Sequence, residues 1–90
     1  MPYIPKADRT KFAPTLAFFR HAVELDGLSN GELNYVITSV VLEYIRQHGT
    51  SYNTLSDVIK ALECAKLEFY RRIVASYEDK KIAQNGDVYG

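Results

Sequence analysis

The chain holds one cysteine, no tryptophan, three prolines and no excess of either charge. A lone cysteine excludes a disulfide framework within the chain and suits a reducing compartment. Eleven Lys and Arg balance eleven Asp and Glu, with a pI near 6.7. That balance argues against a non-specific nucleic-acid binder, which draws its affinity from a basic surplus set against phosphates. The apolar runs fall far short of the ~20 residues that a membrane-spanning helix needs. The opening MPYIPKADR lacks the apolar stretch of a signal peptide. A cytoplasmic protein with no membrane partner is the expectation. Phosphate-cradling glycine loops are missing as well, since Gly27, Gly31, Gly49, Gly86 and Gly90 stand at expected helix ends and turns.

What the chain does have is apolar surface. It is 47% hydrophobic and 12% aromatic, with seven Tyr and four Phe among 90 residues. Ninety residues make a single domain, 1–90, or one subunit of something larger. A chain this short buries a smaller share of its surface than a typical domain. Self-association into a homo-oligomer is the natural cover for the excess.

The apolar spacing predicts an all-α fold. Pro2 and Pro5 hold Tyr3 and Ile4 extended, which predicts an extended arm over residues 1–11. Pro14 fits the first turn of a helix. Phe12, Leu16, Phe19 and Val23 follow at spacings of four, three and four, one stripe of an amphipathic helix. It ends near Asp26-Gly27. Ser29-Asn30-Gly31-Glu32 has the form of a capping box. Leu33, Val36, Ile37, Val40, Val41, Tyr44 and Ile45 fill a broad face of the helix behind it, which Gly49 stops. Thr50-Ser51 or Thr54 caps a third helix, with Thr54 and Asp57 a second box-like pair.

That third helix runs without a breaker to Ser76 or beyond, over about 25 residues, long for so small a chain. Leu55, Val58, Ile59, Leu62, Ala65, Phe69 and Ile73 form one stripe; Leu67, Tyr70, Val74 and Tyr77 form a second. Two stripes need two neighbours. The expected architecture is a helical hairpin over about 14–48 packed on a long third helix over about 52–80, with a second copy on the other stripe. Residues 83–90 form a C-terminal tail. Cys64, within the third helix, reads as a small buried hydrophobe.

Catalytic equipment is missing. Cys64 with His21 or His48 matches no nucleophile motif, and His21 with Glu24 supplies two metal ligands where a site needs more. No catalytic residue, metal or cofactor is assigned. One cluster remains: Lys66, Tyr70, Arg71 and Arg72 on the third helix, beside Glu63, with Asn34 and Tyr35 on the second. Tyr offers a stacking plane, Arg a phosphate fork, and Asn a donor and an acceptor for a base edge. Gathered across a subunit boundary, these side chains suit a small anionic ligand. The competing account makes the arginines surface partners of Glu68, three and four residues earlier. Successive residues point about 100° apart, so one arginine is expected to pair with Glu68 and the other to face a ligand.

The phrases GELNYVIT (31–38), ALECAKLEFYRR (61–72), YEDKKI (77–82) and NGDVY (85–89), with the opening MPYI, carry a resemblance over nearly the whole chain. They resemble a family of small hypothetical proteins of tailed bacteriophages, prophages and bacteria. The resemblance implies phage ancestry, a role in the bacterial host cytosol and termini that belong to the functional unit. Ser76 stands where that family more often has proline, which would break the helix before Tyr77. Small phage proteins without catalytic equipment commonly act by stoichiometric binding, and some helical ones form oligomers that sequester immune nucleotide signals. The expectation is therefore a non-enzymatic, oligomeric anti-defence protein that sequesters a phosphate-bearing ligand such as a signalling nucleotide. The alternative is a protein-interaction module that inhibits or adapts a host or phage protein without a small ligand.

Overall fold

Helix signals in the sequence turn into helices wherever a cap or a breaker acts locally. In a computed structural model, residues 2–90 are described; Met1, the first residue of the expected arm, lies outside them. Every regular element among the described residues is helical, so the fold is all-α with three helical stretches. Residues 2–55 and residues 56–90 form two units.

In the first unit the extended segment is shorter than expected. Pro5 is extended (φ −52°, ψ 144°), and α1 (Lys6–Arg9) begins directly after it. Residues 6–11 are therefore helical rather than part of an arm. Lys6, Ala7 and Arg9 are strong helix formers, and Asp8 sits in the first turn, where a carboxylate is favoured. Arg9 Nε also donates to the Ile4 carbonyl at 2.8 Å. A 3₁₀ turn (Thr10–Phe12) joins α1 to α2 (Ala13–Val23), with Pro14 in its first turn. Gly27 closes this stretch at φ 74°, its N–H on the Val23 carbonyl at 2.9 Å.

Helix α3 (Asn30–His48) starts on the complete capping box. Glu32 N–H donates to Ser29 Oγ at 3.1 Å, and Ser29 N–H donates to Glu32 Oε1 at 2.9 Å. The Ser29 amide holds the Glu32 carboxyl below its ordinary range. Gly49 ends α3 at φ 82°, and the Tyr44 and His48 rings lie 4.2 Å apart in its last turn.

Ser51, one of the expected caps, starts α4 (Tyr52–Phe69): its Oγ accepts from the Thr54 N–H at 3.1 Å. Thr54 is a capped partner rather than the cap, and it is the buried polar residue of the described chain, 6% exposed.

Helix α4 continues into the second unit. It passes through a π-helical turn (Tyr70–Val74) and on into α5 (Ala75–Asn85) with no break in the helical path. The Ala75 N–H bonds to the Tyr70 carbonyl, five residues back. The helix does not stop at Ser76. It ends at Gly86 (φ 89°), whose N–H reaches the Ile82 carbonyl at 2.8 Å. Residues 83–85 thus belong to α5, and the tail begins at Gly86.

The π turn changes which residues share a face. At about 100° per residue, an unbroken helix sets Val74 and Tyr77 ~120° and ~60° round from Leu62. A π turn loops out one residue, which brings them to ~20° on one side and ~40° on the other. Val58 and Phe69 lie within ~40° of Leu62 by the same count. Val74 and Tyr77 therefore leave the expected second stripe and join the first. Leu67 and Tyr70 remain of the second.

No hydrophobic side chain of the described chain is buried. In residues 2–55, Phe19, Val23, Val36, Val41 and Ile45 are half-buried while Phe18 and Leu25 are 80% and 95% exposed. In residues 56–90, Val58 and Val74 are half-buried, and Leu62, Phe69 and Tyr77 are exposed. Cys64, expected to be buried, is exposed.

Candidate functional site

The expected cluster divides between the two units, and each part is described with its own. On α4 and the π turn, two of the four cations have a carboxylate partner one helical turn away. Lys66 Nζ lies 3.3 Å from Glu63 Oε1, and Arg71 Nη2 lies 2.9 Å from Glu68 Oε1. Both pairs have the Glu three residues before the cation, the order that favours an ion pair on a helix. Arg71 is thus the arginine that pairs with Glu68. Arg72 makes no ion pair or side-chain hydrogen bond among the described residues.

Tyr70 has a partner that sequence spacing did not suggest. Its hydroxyl donates to Glu78 Oε1 at 2.8 Å, eight residues on. In an unbroken helix residues eight apart are ~80° out of line, but with one residue looped out they fall within ~20°. The bond is a direct consequence of the π turn. The Glu78 carboxylate accepts this bond and repels a phenolate, which raises the Tyr70 pKa; slight burial and the nearby Tyr89 act in the same direction. Replacing Glu78 with Gln should bring the Tyr70 pKa down toward the ordinary phenol value of ~10. Ring-carbon NMR titration of Tyr70 checks this; an unchanged midpoint would detach Tyr70 from Glu78.

On α3, Asn34 Oδ1 accepts a long bond from Thr38 Oγ1 at 3.4 Å, and Tyr35 is well exposed. Both side chains remain available to a partner. The tail adds an open cleft of about 280 Å³, lined by Lys81, Ile82, Asn85 and Val88 among others; Val88 and Tyr89 themselves stand in solvent. His21 and Glu24 lie 3.6 Å apart, and no group of three or more metal-ligating side chains gathers among the described residues. No described helix is long and apolar enough to cross a membrane.

An all-α chain with a full capping box and glycine stops is the class that the fold defines. The chain belongs to the family described as a domain of unknown function, DUF6899, whose profile matches residues 1–88. No curated protein and no solved structure matches it.

Proposed function

We propose that this chain is a non-enzymatic binding protein that acts by stoichiometric contact with a protein partner in a bacterial cytosol. The observation that carries this reading is the surface: large apolar side chains stand exposed along α2, α3, α4 and α5, and no hydrophobic side chain among the described residues is buried. Contiguous apolar surface of this kind marks protein-contact sites. Phe18 and Tyr35 are two of the strongly exposed aromatics, and aromatic anchors dominate interface energetics. The resemblance to small phage proteins supports a role as inhibitor or adaptor of a host or phage protein.

Sequestration of a phosphate-bearing ligand, such as an immune signalling nucleotide, is the second reading. It is supported by Arg72, a cation without a carboxylate partner among the described residues, two residues beyond the half-exposed Tyr70 ring. It is weakened by Glu63 and Glu68, which neutralise Lys66 and Arg71 and stand where they would repel a phosphate.

Native purification of the tagged chain from bacteria, with mass spectrometry of intact complexes, separates the two. The first reading expects one protein at a fixed ratio, lost with Phe18→Asp or Tyr35→Ala and kept with Arg72→Ala. If no protein co-purifies at fixed ratio, and calorimetry instead shows a cyclic dinucleotide binding about ten- to a hundredfold more weakly to Arg72→Ala, the second reading replaces it.

A further inference from the structure

We propose that the helix spanning α4, the π turn and α5 pairs antiparallel with the same helix of a second copy, and that the π turn supplies the register for this contact. Val58, Leu62, Phe69, Val74 and Tyr77 form the seam.

Three observations carry this. First, the seam of residues 56–90 is apolar and open: Leu62, Phe69 and Tyr77 are 41%, 58% and 58% exposed, surface that a second copy would cover.

Second, the looped-out residue exchanges Ile73 and Ser76 for Val74 and Tyr77 on the seam, which keeps it apolar as far as Tyr77. Coiled-coil seams repeat every 3.5 residues on average, and here the spacing of 58, 62 and 69 resumes at 74 and 77 after a step of five. An unbroken helix would instead put Ile73, then Ser76 and Lys80, on that line. The Tyr70–Glu78 bond at 2.8 Å spans the turn and holds the added residue in place.

Third, the charges favour one orientation. Residues 56–68 carry Lys60 and Lys66 against Asp57, Glu63 and Glu68, a net −1. Residues 69–85 carry Arg71, Arg72, Lys80 and Lys81 against Glu78 and Asp79, a net +2. Antiparallel pairing sets unlike halves together, and parallel pairing sets like halves together. An isologous two-fold contact follows.

Sedimentation of the full chain at micromolar concentration, with cysteine cross-linking, tests the proposal. The wild type should sediment at a multiple of 10.2 kDa. Val74→Asp should raise the dissociation constant at least about ten- to a hundredfold. In a Cys64→Ser background, Val58→Cys and Tyr77→Cys chains should cross-link to each other when mixed, and neither to itself. A folded 10.2 kDa particle, its apolar faces covered by its own residues, would overturn the proposal. So would an oligomer that Val74→Asp leaves intact, and self-cross-linking of Val58→Cys would overturn the antiparallel arrangement. The wild-type mass and the cross-linking pattern decide the matter even if Val74→Asp does not fold.

Discussion

A hundredfold dilution should lower the melting temperature by about 7 °C. If folding and pairing are one event, two chains are released for every folded dimer lost, and dilution favours release. The shift in free energy is RT ln 100, about 2.7 kcal/mol. Unfolding releases about 2.1 cal/mol/K per residue near 60 °C, so a pair of 90-residue chains gives roughly 380 cal/mol/K. Dividing the two gives about 7 °C. The reason to expect coupling is that the single chain buries no hydrophobic side chain, and backbone ordering alone costs ~1–2 kcal/mol per residue. Most helical stability in proteins comes from packing of an amphipathic face rather than from intrinsic propensity. Circular dichroism melts at 1 and 100 µM would measure it. Superimposable curves would mean that each chain is stable alone, and would sink the coupling.

How much of this was legible in the sequence follows the range of each interaction. The Ser29–Glu32 box, Ser51 and the glycine stops at 27 and 49 act within four residues, and each forms as the sequence reads. The limits of the arm and tail were misread by a few residues. Pro5 fixes its own backbone but does not stop a helix from starting at Lys6, and the Gln84-Asn85 pair does not end a helix before the glycine does. Cys64 was misplaced because free cysteine is usually buried, whereas exposure depends on what covers a face.

The candidate site was legible in composition but not in pairing. Lys66–Glu63 and Arg71–Glu68 are ordinary one-turn pairs, and sequence spacing already pointed to Glu68. The Tyr70–Glu78 bond was hidden because eight residues is the wrong interval for an unbroken helix. One signal was present: the apolar residues of the long helix fell into two stripes whose second half, Val74 and Tyr77, lines up with the first once a single residue is skipped. Two stripes on one helix can mean two neighbours, or one neighbour and one skipped residue. The Ala75 N–H to Tyr70 carbonyl bond shows the skipped residue.

Length changes at the π turn should therefore act in opposite ways. Deleting Arg72 removes the looped-out residue and lets an ordinary α-helix run through. Val74 and Tyr77 then stand at ~20° and ~40° from Leu62, where the π turn already holds them. No ion pair among the described residues is lost with Arg72, and the deletion should leave assembly and stability close to wild type. Inserting one alanine after Arg72 adds another ~100° and swings both residues to ~120° and ~60° from the seam. Each buried large apolar side chain contributes about 1.5–3 kcal/mol, so loss of the two should cost about 3–6 kcal/mol per chain. Urea unfolding of the two variants at one fixed protein concentration makes the comparison, with sedimentation reporting the mass. A π turn that were only a local irregularity predicts something else: the deletion and the insertion would disturb the helix to a similar, small degree. Equal midpoints for the two variants would therefore take the register role away from the π turn, whereas a stable deletion beside a dissociated insertion would fix the seam on Val58, Leu62, Phe69, Val74 and Tyr77.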